Sequence, residues 1–475
     1  MTDKLSPPGQ NNPIEETSLR YMLKLATPMV VTTISFTIMQ FVDRFMVSRL
    51  GTHALAAIMP AAFVSFLPGA LALGSLASLN AYVSQSFGKG NLRDCSNYFW
   101  QAVYMGIGYF LMVLAIMWPT APLIFELMGQ PPTIIGMEVI YFRIMLYAHL
   151  IIVISWSSNQ FFMGIHRPVI TMCASLSGQI VNIIANYILI FGKLGLPAMG
   201  IAGAGWGTCI GMTVSALINT CVFLSPKINS TFYSRHTFGI DPGKMYDLFR
   251  VGLPAGIGLT MDVALWGVIL SGLVGRFGED SLAATSAVLS YTNLSVMPVV
   301  GISMALTAAS GKTIGMDKKN LVIEQTNVCL KISLIYMGLV GICFFLFREA
   351  LMEFWSSDGK VIDAGANILI LAAVYQVFHA ARVIYSGSLR GAGDTIWLAF
   401  ASGIGSVIIL GFGGFLIVKF FPLLGSPGPW VAATFSIVIV GLANHWRFKS
   451  KRWMKIDLFK RRTISVPIQN GSTVE

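Results

Sequence analysis

Long apolar runs alternate with short polar breaks along almost the whole chain. Twelve such runs can be drawn, at approximately 20–50, 53–87, 97–119, 134–163, 168–191, 199–224, 246–276, 281–314, 322–347, 361–387, 394–420 and 427–447. Each is long enough to cross a bilayer as a helix, which takes about 20 predominantly apolar residues. Glycine and proline recur inside the runs, and membrane helices tolerate them better than soluble ones. The expected fold class is an all-α integral membrane protein with twelve transmembrane helices. The tail MTDKLSPPGQNNPIEE has no apolar core, so it is not expected to act as a signal peptide.

The first run, LKLATPMVVTTISFTIMQFVDRFMVSRLGTHAL, holds a proline and a carboxylate. A carboxylate inside a spanning helix costs at least about 2.5–3.5 kcal/mol on insertion scales, and such expense marks ion or proton pathways. The 15 residues from Pro28 to Asp43 span about 22 Å, so the two sit near opposite faces of the membrane.

Composition agrees with the pattern. Of the 475 residues 55% are hydrophobic and only 11% charged, against about 25% charged in soluble domains. The net charge of +11 would point to nucleic acid in a soluble protein; here basic loops on one side of a membrane explain it, and no nucleic-acid partner is expected. With the N-terminus inside, the inner segments carry 22 Lys and Arg and the outer ends 7. That bias places both termini in the cytoplasm, with a bacterial inner membrane as the expected location. The six cysteines form no CxxC pair, so no zinc site or disulfide framework is indicated.

The longest polar interruption, SPKINSTFYSRHTFGIDPGK, follows the sixth run, and what comes after it repeats what came before. Val47–Ala57 aligns with Val274–Ala284 at an offset of 227 residues. The same offset carries Gly88 onto Gly315 and Gly164 onto Gly391, and Pro28 falls one residue from matching Pro254. A duplicated unit with an even number of spans enters the membrane twice in the same direction. Its pseudo-two-fold axis then runs along the membrane normal, with a central cleft between two six-helix lobes. The expected boundaries are a tail at 1–19, an N-lobe at 20–224, a linker at 225–245, a C-lobe at 246–447 and a basic tail at 448–475.

Polar groups inside spans need partners, because lipid offers none. Thr171, Ser175, Gln179, Asn182 and Asn186 lie on one face of the fifth span. They supply oxygens suited to a cation shell or donors for a carboxylate; they serve equally as glue between helices. Asp262 in the seventh span is either a second cleft-facing carboxylate or an acid paired with a base inside the bundle. Tyr375, His379, Arg382 and Ser386 share one face of the tenth span. His379 can relay protons or act as a satisfied interior hydrogen-bonder. Arg382 is the natural partner for Asp262 or reaches the inner surface. By the offset, Asp43 corresponds to Leu270 and Asp262 to Ser35, so the two acids are not copies of one site. Trp266, Tyr291, Met261, Met297 and Met304 are candidates for an adaptable apolar pocket.

There is no GxxxxGK[ST], HExxH or GxSxG pattern, and the six histidines are dispersed. The chain is therefore not expected to be an enzyme. Transport without a nucleotide-binding loop must be driven by an ion gradient or by substrate.

The runs LKLATP with QFVDRFMVSRLG, YVSQSFGKGN, VNIIANYILIFGKLGLPAMGIAGAGWGT and SGSLRGAGDT resemble the multidrug and toxic compound extrusion (MATE) transporters, above all their NorM-like branch, over residues 20–447. The resemblance implies two six-helix lobes around a V-shaped cleft, and antiport of organic cations and amphipathic drugs against H+ or Na+. It also implies an N-lobe cation site at Asp43, Asn182, Asn186 and Thr208, where Na+ can bind, with Gln179 on the same face. Asp262 and Tyr375 match the branch's C-lobe site, but His379 stands where that branch carries an acid, which weakens the case for Na+ there. Pro28 is the expected hinge of the first helix. No cofactor beyond the coupling ion is expected, and the protein is expected to act as a monomer in contact with lipid and small substrates. The alternatives are a flippase for lipid-linked or polyanionic substrates, which would need more basic residues in the cleft, and a membrane receptor or enzyme.

Overall fold

The computed structural model describes residues 17–460, so positions 1–16 of the expected N-terminal tail and 461–475 of the basic tail lie outside the described residues. Among the described residues eleven helices are long and apolar enough to cross a membrane. In chain order the first six spans are Leu19–Ser48, Thr52–Leu76 with Ser78–Gly88, Leu92–Leu127, Pro132–Gly164, Pro168–Phe191 and Ile201–Phe223. The eighth to tenth are Glu279–Gly315, Leu321–Leu346 and Gly359–Gly391; the eleventh and twelfth are Thr395–Phe420 and Pro427–Lys449. The seventh expected span is helical but interrupted, and it is not among these eleven. Pro242–Ala264 passes through a π-helical stretch, Leu265–Leu270, into Ser271–Val274. The eleventh span has a second π stretch, Gly405–Gly413, packed against the first. Such widened turns recur at functional sites.

The duplication is written into the backbone. Left-handed residues occur in pairs at the same offset of 227: Gly51 (φ 104°) with Gly278 (φ 94°), Gly90 (φ 77°) with Asp317 (φ 60°), and His166 (φ 59°) with Gly393 (φ 81°). Each pair sits in the same interspan turn of its lobe. His166 and Asp317 hold a conformation that side chains seldom adopt, so the same turn geometry occurs in the two lobes with and without the glycine that eases it.

Both described chain ends lie at one side, the near side, with Tyr21 on His166 and Phe459 on Lys89, and there the lobes close on each other. A methyl group on Gly88 would overlap the Lys312 carbonyl oxygen, and one on Gly315 would overlap the carbonyl oxygen of Gln85. Gln85 and Lys312 are themselves related by the offset, so the two contacts are images of each other. Gly164 packs on Val83 and Ser84 as Gly391 packs on Ser310 and Gly311, again residue for residue. Gln85 Nε2 donates to the Gly391 carbonyl at 2.9 Å and His166 Nε2 to that of Ala308 at 3.2 Å. Deeper in, Thr33 Oγ1 donates to the Met297 carbonyl at 3.0 Å. Among the described residues, the hydrogen bonds that join the lobes lie between this level and the near side.

The linker is more structured than its polar sequence suggests. It forms a short helix, Pro226–Phe232, and the seventh helix begins at Pro242, inside the expected linker. Trp100 Nε1 donates to the Ser234 carbonyl at 2.8 Å, and Lys244 Nζ lies 2.6 Å from Asp94 Oδ1. These contacts fasten the linker to the third span.

Candidate functional site

The N-lobe cluster is built by the close approach of the fifth and sixth spans. Gly203, Gly207 and Gly211 fall at every fourth position, on one helix face. A Cβ at Gly203 would stand 2.7 Å from the Leu189 carbonyl oxygen, one at Gly207 3.0 Å from the Asn186 nitrogen, and one at Gly211 2.6 Å from the Gly178 oxygen. Small residues thus let the two backbones touch, and the Asn side chains of the fifth span fill the seam that remains.

Asp43, Asn186 and Thr208 sit at one depth, five residues from the end of the first span, five from the end of the fifth and seven from the start of the sixth. That is one to two helical turns from the far side. Asn186 Nδ2 donates to Asp43 Oδ1 at 2.7 Å and approaches Asn182 Oδ1 at 3.5 Å. Asn182 Nδ2 lies 3.5 Å from Thr208 Oγ1, which donates to the Ala204 carbonyl at 3.0 Å. Asn182 and Asn186 are buried; Asp43 is half-buried. Asn186 Oδ1 is enclosed without a hydrogen-bond partner. One carboxylate with the oxygens of Asn182, Asn186 and Thr208 is a hard donor set that can take a proton on Asp43 or a small hard cation among the four. Among the described residues no three His, Cys, Asp or Glu converge to hold a metal ion. Gln179 is half-buried two turns from Asn186 on the same face and outside this hydrogen-bonded group.

The C-lobe gathers the other sequence candidates about mid-span. Arg382 Nη2 lies 3.6 Å from Asp262 Oδ2, and Ser406 Oγ, within the second π stretch, donates to Asp262 Oδ1 at 3.2 Å. The same Nη2 lies 3.4 Å from His379 Nε2. As arginine only donates, that nitrogen must accept, and the ring is held neutral as long as the contact lasts. The Tyr375 ring is buried, 5.8 Å from His379 and stacked on Trp430 at 6.4 Å. Of the readings open for Asp262 and Arg382, the geometry is that of the internal ion pair. Three of the candidates for an apolar pocket pack against one cluster. Met261, Trp266 and Tyr291 border the C-lobe core, and Met297 packs in the cluster between the first and eighth spans.

Sequence reasoning overlooked one acid. Glu138, six residues into the fourth span, is fully buried, and neither carboxylate oxygen has a hydrogen-bond partner. The signal was the one that singled out Asp43, a lone acid in an apolar run.

The comparisons with known proteins agree with this architecture. The MatE family model matches residues 28–188 and 259–413, one stretch in each lobe. A curated relative from Chromobacterium violaceum, "Probable multidrug resistance protein NorM", is 28% identical over 436 residues, covering 89% of this chain and 92% of its own. "Multidrug resistance protein PmpM" of Pseudomonas aeruginosa is 27% identical over 381 residues, 79% of each chain. A solved structure described as the outward-facing conformation of a multidrug resistance MATE family transporter superposes with a TM-score of 0.85 at 19% identity, covering 96% of this chain and all of that one. With both lobes matched in order and across most of their length, the chain belongs to the MatE family of membrane transporters.

Proposed function

We propose that this transporter is an H+- or Na+-coupled antiporter that exports organic cations and amphipathic drugs by alternating access, with both termini in the cytoplasm of a bacterial cell and the near-side seam as its inner gate. The observation that carries the reading is the Asp43–Asn186–Asn182–Thr208 cluster, a costly carboxylate that accepts from the neutral Asn186 amide near the far side, with the oxygens of Asn182, Asn186 and Thr208 beside it. Its relatives' names, as multidrug resistance proteins, support small amphipathic substrates.

Protonating Asp43 or placing a cation on it changes its hydrogen bond with Asn186, and with it the packing of the first span on the fifth. Pro28 is the weak point through which that change bends the first span. It has no N–H to donate back along the helix, and its own carbonyl is held by Thr32 Oγ1 at 2.8 Å. The membrane potential supplies about 2.3 kcal/mol per charge per 100 mV to drive the cycle. In the C-lobe Arg382 already neutralises Asp262, which supports Asp43 as the coupling carboxylate. Drug counterflow in liposomes, with pH and Na+ gradients imposed separately, tests the reading. One gradient is expected to drive exchange, and Asp43→Asn to abolish the coupling. Wild-type exchange rates in Asp43→Asn would refute the mechanism.

A further inference from the structure

After the twelfth span the chain turns back across the near-side seam. Lys451 adopts φ 57°, and a short 3-10 turn, Arg452–Lys455, follows. Trp453 anchors this segment to the C-lobe. Its ring is buried and stacked on Phe448 at 5.4 Å, and its Nε1 donates to the Phe448 carbonyl at 2.9 Å. Lys319 Nζ donates to the Met454 carbonyl at 2.7 Å. Beyond the anchor, Leu458 enters the space that Gly393 leaves for want of a side chain, while also packing in the N-lobe core cluster.

Phe459 completes the crossing. Its ring meets the N-lobe tyrosines edge-on, at 5.9 Å from Tyr82 and 6.3 Å from Tyr98, and Lys89 Nζ stands 3.9 Å above its centroid. Asp457 Oδ1 accepts from the Phe459 nitrogen at 2.9 Å and fixes the turn that presents the ring. Tyr82 and Tyr98 are in turn hydrogen-bonded to Asp247 at the start of the seventh span. One segment thus has its anchor in one lobe and its tip in the other, beneath the glycine contacts of the seam.

We propose that residues 456–460 form a strap that holds the near-side seam shut, and that its tip must leave the Tyr82–Tyr98–Lys89 platform before the seam can open. This rests on alternating access. If the near ends of the lobes part, an anchor on the C-lobe and a tip on the N-lobe cannot both persist across so short a segment. The basic tail, which by sequence looked like a charge marker only, carries at its aromatic positions the contact that ties the lobes together.

The full-length protein with the exposed Cys173, Cys221 and Cys343 replaced provides the test. Ser84→Cys serves as reporter, since the Ser84 hydroxyl is buried against Gly311 across the seam. Leu458→Ala and Phe459→Ala are each expected to raise maleimide labelling of this cysteine from the near side at least threefold, with Trp453 and the fold intact. Joining Lys89→Cys to Phe459→Cys with a cleavable thiol cross-linker is expected to stop drug exchange, and reductant to restore it, while either single cysteine treated alike stays active. Unchanged labelling in both alanine variants, or exchange that survives cross-linking, overturns the strap. Labelling needs no substrate, so absence of drug exchange in the wild-type chain would count against the transport reading alone.

Discussion

The pseudo-symmetric glycines of the seam permit a sharp test of how the transporter closes. A methyl group at Gly88 overlaps the Lys312 carbonyl oxygen and stands 3.0 Å from the Gly315 Cα. Both neighbours are helix backbone, so no side chain can swing away to admit it. Overpacking of this kind costs about 1–3 kcal/mol. The cost falls only on the closed seam, since the methyl is free once the lobes part. Gly88→Ala therefore shifts the closed-to-open ratio by roughly 5- to 150-fold toward open, at about 1.4 kcal/mol per tenfold. Gly315→Ala meets the symmetry-related Gln85 carbonyl and is expected to give a similar shift. The double variant is expected to fall short of additivity, because both methyls crowd one seam.

Near-side labelling of Ser84→Cys reads this directly. Gly108→Ala is the control: a Cβ there has nothing within 4 Å, so labelling should not change. Wild-type labelling in Gly88→Ala and Gly315→Ala, with folded protein, would show that the seam is not the gate.

Other expectations follow from individual groups. His166 joins the two lobes through Ala308 and receives the Tyr21 hydroxyl at 3.0 Å on Nδ1. Burial first, then the charge of Lys312, hold its imidazole at about 3 in the closed state, against about 6.5 when exposed. The closed seam is thus favoured above pH 6.5 and loses up to about 1 kcal/mol per pH unit below it, the full 1.4 being discounted for the ring's residual exposure. Labelling of Ser84→Cys, normalised at each pH to that of the same cysteine in unfolded protein so that the thiolate fraction cancels, should rise from pH 7.5 to pH 5 and flatten in His166→Gln; a normalised rate independent of pH would refute this. Asp262→Asn leaves Arg382 without its carboxylate and is expected to lower stability by about 1–3 kcal/mol. Adding Arg382→Gln should recover part of that loss in thermal unfolding, and drug exchange should remain coupled in both variants. Glu138→Gln removes a buried acid with no hydrogen-bond partner and is expected to raise the unfolding midpoint; a fall would reveal a partner that the carboxylate needs.

The spans and the duplication were legible because bilayer thickness and turn stereochemistry constrain sequence strongly. Glycines at Gly51, Gly88 and Gly164 reappear 227 residues later because each answers a backbone demand, a left-handed turn or a contact too close for a methyl. In the N-lobe, Asp43, Asn182 and Asn186 stood out singly because they interrupt apolar runs, while their grouping with one another and with Thr208 was implied by the resemblance to MATE transporters and not by spacing. Other features depend on distances between helices, which spacing along one helix does not set. The fifth-span stripe fixed the face of Gln179 but not its separation from Asp43. Asp262 kept two readings until Arg382 was placed beside it at 3.6 Å. The strap was hidden because Trp453 and Phe459 lie among lysines and arginines, whose bias reports membrane sidedness and says nothing of packing.

Set against the offset, the two halves have diverged unevenly. At the near side the closest backbone contacts are symmetric, with Gly88 facing Lys312 as Gly315 faces Gln85. At the far side the positions equivalent to Asp43, Asn182, Asn186 and Thr208 are Leu270, Ile409, Gly413 and Phe435, which can hold neither a proton nor a cation through their side chains. Asp262 occupies the counterpart of Ser35 and carries its own cation in Arg382. A seam formed by two lobes needs both to match, because each supplies half of every contact. A coupling site needs only one lobe, provided that its helix also reaches the seam. The first span does so: it carries Asp43 near one end, Thr33 on the Met297 carbonyl midway, and Tyr21 on His166 near the other. On the proposed mechanism, closure asks the halves to be alike where they touch, whereas the coupling chemistry can sit in one of them.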